Sequence, residues 1–155
     1  MLRTMLLTLL LSTPIASAES VPVLAQASDA AKQTINLEMM VVKGTTTNEK
    51  IDPKLRPLMK YFRNYKFTGF ELIDTKQSKL TDQTARTFTI EGNRKVTITL
   101  VSHTQKSAKL KVVILEGKGK KILDTTININ RNGTFIVAGP KHKDGVLFLP
   151  IKVEY

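Results

Sequence analysis

Apolar and polar residues alternate through most of the chain after residue 34. In the segment RKVTITLVSH, for example, Val96, Ile98 and Leu100 alternate with Thr97 and Thr99. Such alternation places apolar side chains on one face of a β-strand and polar side chains on the other. Short polar links separate these segments, which favours antiparallel neighbours joined as a meander. The strands predicted from residue 67 onward are FTGFELID, TARTFTIEG, RKVTITLVSH, SAKLKVVILEG, KKILDTTININ, GTFIVAG and GVLFLPIKVEY.

Two earlier segments have different patterns. INLEMMVVKG, which starts at Ile35, predicts a strand whose second face becomes apolar at Met40 and Val42. DPKLRPLMKYFRNY predicts a helix, because Asp52 can cap it, Pro53 suits its first position and its apolar residues share one face. The aromatic cluster YFRNYKFTGF is interpreted as the seam where this helix packs on the next strand, rather than as a binding patch. These elements predict a mainly-β fold: an antiparallel β-sandwich or a strongly bent sheet of seven to eight strands, with one amphipathic helix packed on it.

The first 33 residues lack this pattern. Residues 1–18 combine the positive Arg3, a short apolar stretch, Pro14 and small residues ending at Ala18, which is the layout of a secretory signal peptide. The alternative, a membrane anchor, is disfavoured because the apolar stretch is shorter than the ~20 residues that span a bilayer. We therefore predict no transmembrane segment in the mature chain. Residues 19–33 are predicted to be a flexible leader, and residues 34–155 to be a single β-rich domain.

Composition narrows the compartment and the chemistry. The 155-residue chain has no Cys and a formal charge of +11. The absence of Cys excludes disulfides, thiol nucleophiles and Cys-based zinc sites, and with the signal peptide it indicates a periplasmic or secreted bacterial protein. The two histidines, His103 and His142, show no metal-ligand spacing, and Ser102 cannot readily pair with His103 because adjacent strand residues face opposite ways. We expect no enzyme activity, no catalytic residue, no metal site and no cofactor.

Lysines crowd two of the predicted hairpin loops. This surface attracts anionic partners such as lipid headgroups or lipopolysaccharide, but lysines also serve solubility, and both interpretations stay open. Nucleic acid is disfavoured, because Trp is absent and no strand interleaves aromatic and basic residues. The histidine in the second loop is predicted to be an exposed turn residue with no partner. The candidate partner-binding residues of the two loops are Lys118, Lys120, Lys121, Lys141, His142 and Lys143.

Strand edges are the other candidate surface, because an exposed edge can pair with a strand of a partner protein. The first and last strands, residues 35–42 and 146–153, are predicted to be edges since they lie at the ends of the ordered chain. Pro150 removes one N–H from the last strand and limits pairing there. The first strand is therefore favoured, with Met39 and Met40 as adaptable contact residues.

Three segments carry a family resemblance. INLEMMVVKG, IDPKLRPLMKYFRNYKFTGFELID and TFIVAGPKHKDGVLFLPI together resemble a family of small exported bacterial β-domain proteins, over residues 35–151. The resemblance implies export and a strand, a Pro-bounded helix and several hairpins in that order. It brings no catalytic residue and no settled biochemical function.

The function expected from these observations is non-catalytic binding. We predict an exported periplasmic module that binds protein partners in a cell-envelope assembly. The alternative is a binder of an anionic envelope ligand, a lipid headgroup or lipopolysaccharide, through the lysine-rich loops.

Overall fold

The computed structural model describes residues 34–155, which form two four-stranded antiparallel sheets and one short helix. Sheet A has the strand order β2-β1-β8-β7 and sheet B has the order β3-β4-β5-β6. This confirms the predicted β-sandwich with one helix, whereas the predicted signal peptide and leader lie outside the described residues. The elements are β1 (Ile35–Thr45), a 3₁₀ helix (Pro53–Leu58) that continues into α1 (Met59–Phe62), β2 (Gly69–Leu80), β3 (Ala85–Ile90), β4 (Arg94–His103), β5 (Ser107–Glu116), β6 (Lys120–Asn130), β7 (Thr134–His142) and β8 (Gly145–Glu154).

The main core lies between the two sheets. The alternation in β4 is confirmed, since Val96, Ile98 and Leu100 are fully buried and their Thr neighbours face outward. Inward side chains from all eight strands join them in one apolar cluster. Burying each such aliphatic side chain contributes about 1.5–3 kcal/mol, so this layer is the main source of stability.

A second apolar cluster covers the outer face of sheet A. Phe148 on β8 lies at its centre, with ring centroids 5.6 Å from Phe62, 4.7 Å from Tyr65, 5.3 Å from Phe67 and 6.2 Å from Phe70. Edge-on and tilted contacts of this kind stabilise aromatic clusters. The interpretation of the aromatic segment as a packing seam is therefore confirmed.

The helix is shorter than its pattern predicts. Asp52 caps it as expected, since its Oδ1 accepts a hydrogen bond from the N–H of Lys54 at 2.9 Å. The chain is 3₁₀ from Pro53 to Leu58 and α-helical only from Met59 to Phe62. Pro57 explains the difference, because it lacks an N–H and disfavours α conformation at the preceding residue.

The prediction that β1 and β8 are edge strands is wrong. They pair with each other at the centre of sheet A. On its other side β1 pairs with β2, and on its other side β8 pairs with β7. Met39 has no exposed surface, and Met40 is half-buried in the cluster under the helix. Neither methionine is available as a partner contact in the folded protein. The edges are β2 and β7 in sheet A, and β3 and β6 in sheet B.

The meander is confirmed for sheet B only. Strands β3 to β6 follow one another in sheet B. The chain passes from sheet A to sheet B between β2 and β3, and it returns to sheet A between β6 and β7. Asn132 and Gly133 form the second of these crossings, with Asn132 at a φ of 56°. Asn-Gly thus makes a turn between the two sheets and not a hairpin.

Candidate functional site

Three turns meet at one end of the sandwich and carry both lysine-rich loops. They are residues 91–93 between β3 and β4, residues 117–119 between β5 and β6, and residues 143–144 between β7 and β8. The sequence suggested two separate basic loops, whereas pairing across two sheets brings them to the same end. We call this region the lysine-rich end and define it by Lys118, Lys120, Lys121, Lys141 and Lys143, which are all exposed.

Arg94 joins the three turns. Its Nε donates a hydrogen bond to Glu116 Oε1 at 2.9 Å, and its Nη2 lies 2.7 Å from the same oxygen. The same Nη2 donates to the Lys141 carbonyl at 3.0 Å, which links sheet B to the end of β7. Only 10% of the Arg94 side chain is exposed. Gly92 makes room for it, because a Cβ there would lie 2.4 Å from Arg94 Nη1.

Sequence reasoning missed Arg94 and Glu116, although the pattern contains a signal for both. Arg94 continues the inward series of β4, and Glu116 continues the inward series of β5, where apolar residues are expected. The two residues are also direct partners in the β4–β5 register. A charged residue at an inward position is rare unless it is paired, so each predicts a partner of opposite charge.

The structure corrects the prediction for His142. Its side chain is 11% exposed instead of open to solvent, and its Nε2 lies 3.9 Å from Glu91 Oε2. Its Nδ1 also lies close to Gly92, 3.4 Å from the position that a Cβ would take. The ring therefore packs between the turns of β3–β4 and β7–β8, and it braces the lysine-rich end without being part of its exposed surface.

The carboxylates beside these turns are engaged within the protein. Glu91 and Glu116 make the contacts just described. Asp144 Oδ1 lies 2.5 Å from Lys43 Nζ, and this hydrogen bond lowers the pKa of the Asp144 carboxyl. Lys121 makes a 2.8 Å contact with Asp124. Of the five lysines that define this end, Lys118, Lys120, Lys141 and Lys143 form no ion pair within residues 34–155.

His103 lies at the opposite end of the sandwich. Its Nδ1 is 2.5 Å from Asp82 Oδ1, and its ring packs edge-on against Tyr155 at 5.6 Å. Arg131 donates a hydrogen bond to the Tyr155 carbonyl, and burial raises the pKa of the Tyr155 hydroxyl. These contacts attach the last residue to the neighbouring turns. The sequence did not show Asp82 as the partner of His103, because the pair joins the end of β4 to the turn between β2 and β3.

A depression of about 380 Å³ lies on the outer face of sheet A and contains neither histidine in its lining. It is lined by side chains of both charges that already contact one another. Glu38 accepts a hydrogen bond from Gln77 at 2.8 Å, and Lys152 lies 2.5 Å from Glu154, which raises the pKa of Lys152. Two glutamates and two lysines line this depression, so its charges balance, and it attracts a charged partner less strongly than the lysine-rich end does.

Within residues 34–155, no group of three or more His, Cys, Asp or Glu side chains is arranged to hold a metal ion. Across the same stretch of chain, no helix has the length and apolar character needed to cross a membrane.

Comparisons with protein-family models, curated proteins and solved structures identify no match. The resemblance to exported bacterial β-domain proteins therefore stays a prediction.

Proposed function

We propose that this chain is a non-catalytic, exported module that binds an acidic protein partner within a cell-envelope assembly, through its lysine-rich end. The supporting observation is the convergence of two basic loops at an end where the turn carboxylates are engaged internally. Four lysines at this end form no ion pair within the described residues, so they are available to contact a partner molecule. The predicted signal peptide supports a periplasmic or secreted location.

The physical basis of the proposal is charge held in place by the fold. Arg94 and His142 attach the turns to one another across the two sheets. Lysines on braced turns lose less conformational freedom on binding than lysines on a mobile loop would lose. A cluster of like charge also steers an oppositely charged partner and raises its association rate.

Charge reversal tests the proposal. A triple variant with Lys118, Lys120 and Lys141 changed to Glu is compared with a control triple that changes Lys54, Lys66 and Lys106 to Glu. The control residues are also exposed, and within the described region they form no ion pair. Both triples change the net charge equally, so they differ only in where the charge lies.

Tagged wild-type and variant proteins are isolated from their own cell envelope after crosslinking. We expect the partner to be lost with the first triple and retained with the control. Binding should also weaken as salt is added, because exposed charges are screened beyond about 10 Å at 0.1 M salt. Equal recovery of the partner with both triples would contradict the proposal.

The alternative ligand is an anionic lipid headgroup or lipopolysaccharide. It is favoured by one observation, that Lys118 and Lys143 occupy turn tips where a flat surface can reach them. Sedimentation with phosphatidylglycerol vesicles tests it. Binding that is lost in the first triple, with no crosslinked protein in the wild type, would replace the protein partner by a lipid.

A further inference from the structure

Beside the lysine-rich end, the two sheets leave a small cleft between their edge strands, lined by apolar residues and their backbone groups. Ile122 and Leu123 on β6 line one side, and Ala138, Gly139 and Pro140 on β7 line the other. The cleft has a volume of about 150 Å³. This volume is about that of an engineered cavity that holds a benzene molecule in another protein, so the open cleft has room for one ring-sized side chain.

Irregular pairing on both edges shapes this cleft. In β6 the register to β5 shifts so that Ile122 has no direct partner, since Ile114 pairs with Leu123 and Leu115 pairs with Lys121. In β7 the register to β8 is interrupted between Ala138 and Lys141. Bulges re-aim side chains and end regular pairing, and they recur beside functional sites. Here the two irregularities face each other across the opening between the sheets.

Positive charge borders the cleft on both strands. Lys120 and Lys121 immediately precede Ile122 on β6, and Lys141 immediately follows Pro140 on β7. Lys121 is paired with Asp124, so Lys120 and Lys141 are the two of these lysines that form no ion pair within the described residues. An apolar space with a cationic border matches a ligand that has one apolar group between negative charges. The volume is too small for an acyl chain with its many methylenes, which favours a peptide side chain over a lipid.

We propose that this cleft receives a single large apolar side chain from an acidic segment of the partner protein, whose carboxylates contact the flanking lysines. This inference rests on the proposed function and adds the chemistry of the partner. The bulges also prevent regular strand addition at this level of either edge. The segment therefore binds by side-chain insertion and charge rather than as a ninth strand.

Two synthetic peptides test the cleft separately from the lysines. One is a short labelled peptide of Asp and Ser with a central Phe, and the other has Gly in place of that Phe. Fluorescence anisotropy at low salt should show the Phe peptide binding about tenfold more tightly, because one ring is removed from water. Amide chemical shifts should change most at Ile122, Leu123 and Gly139.

Two protein variants complete the design. Ile122→Ala shortens one side chain that lines the cleft. Ile136→Ala is the control, because Ile136 is a half-buried residue of edge strand β7 whose side chain packs under the helix and not in the cleft. Ile122→Ala should reduce the preference for the Phe peptide to about twofold or less. Ile136→Ala should keep the preference, which controls for the stability lost on removing an Ile side chain.

The outcomes distinguish the two proposals. Equal affinities of the two peptides for the wild type, with both lost on reversing the lysines, would overturn the cleft assignment and leave the proposed function standing. Binding of neither peptide at low salt would overturn both. Vesicle binding without peptide binding would assign the surface to a lipid.

Discussion

Replacing Arg94 with Met tests whether one buried guanidinium holds the lysine-rich end together. The change keeps an unbranched apolar chain but removes two good hydrogen bonds, to Glu116 at 2.9 Å and to the Lys141 carbonyl at 3.0 Å. A third, to the Glu91 carbonyl at 3.4 Å, is weak.

The expected cost follows from these contacts. A hydrogen bond to a charged group contributes about 1.5–3 kcal/mol. Glu116 is 40% exposed and can be resolvated when Arg94 is absent, which places the cost at the lower end. We expect the free energy of unfolding to fall by about 2 kcal/mol. With a urea m-value of about 1–3 kcal/mol/M, the midpoint should fall by about 1 M.

Urea unfolding followed by circular dichroism measures this cost against Arg86→Met. Arg86 lies exposed on edge strand β3 and makes one 3.2 Å hydrogen bond, so its replacement should cost less than about 0.5 kcal/mol. Arg94→Lys should be intermediate, since it keeps the charge but loses the two-pronged geometry. If Arg94→Met and Arg86→Met lower the midpoint equally, Arg94 is not the brace that its contacts indicate.

Three further predictions concern strand β1 and the turn between β7 and β8. Met40→Pro should unfold the protein, as measured by circular dichroism, because Met40 pairs with Thr75 of β2 within a central strand. Met40→Leu should stay folded with a cost below about 1.5 kcal/mol. The hydrogen bond from Lys43 lowers the pKa of Asp144 below 3.8, so its contribution to stability exists above that pH and is lost as pH falls through the lower folded value. NMR titration should show this pKa rising toward 3.8 in Lys43→Met; an unchanged value would exclude Lys43 as its cause. Lys143→Gly should raise the unfolding free energy by up to about 1 kcal/mol, since Lys143 has a φ of 53°, while Lys143→Gln, with the same loss of charge, should not.

Local patterns predicted the layers of this fold but not the order of strands within them. Alternation identified the buried face of β4, and the spacing in residues 52–65 identified the helix and its packing face. Which strands lie at the centre depends on pairing between distant segments, which alternation does not encode. The chain ends suggested edges, yet β1 and β8 pair with each other.

The sequence did hold a signal for the central strands. MMVV in β1 and VLFLPI in β8 are continuous apolar runs, which are typical of strands buried on both faces. Pro150 indicated an edge strand instead, because proline is rare in a central strand. The structure accommodates it where the β1–β8 register is interrupted, between Met39 paired with Ile151 and Val42 paired with Phe148.

The lysine-rich end was harder to predict, because its parts come from three separate turns. Each basic loop was visible in the sequence, but its position relative to the other loop follows only from the crossing of β6 to β7 between sheets. Arg94 and Glu116 marked that end by interrupting two inward apolar series. The contact of Arg94 with the Lys141 carbonyl has no sequence signal, since any residue supplies a carbonyl.

The way charge is distributed at this end bears on whether the lysines do more than keep the protein soluble. Solubility depends on net charge, which lysines spread over both sheets would supply with less mutual repulsion. Here five of the lysines lie together at one end, Lys118 and Lys143 on turns and the other three on the adjoining strand ends. Glu91, Glu116 and Asp144 contact groups that position the backbone. Glu116 is directly opposite Lys120 in the β5–β6 register, yet its carboxylate is bound to Arg94. Because the nearest carboxylate is used to brace the turn and leaves Lys120 unpaired, this arrangement favours recognition of an external anion over solubility alone.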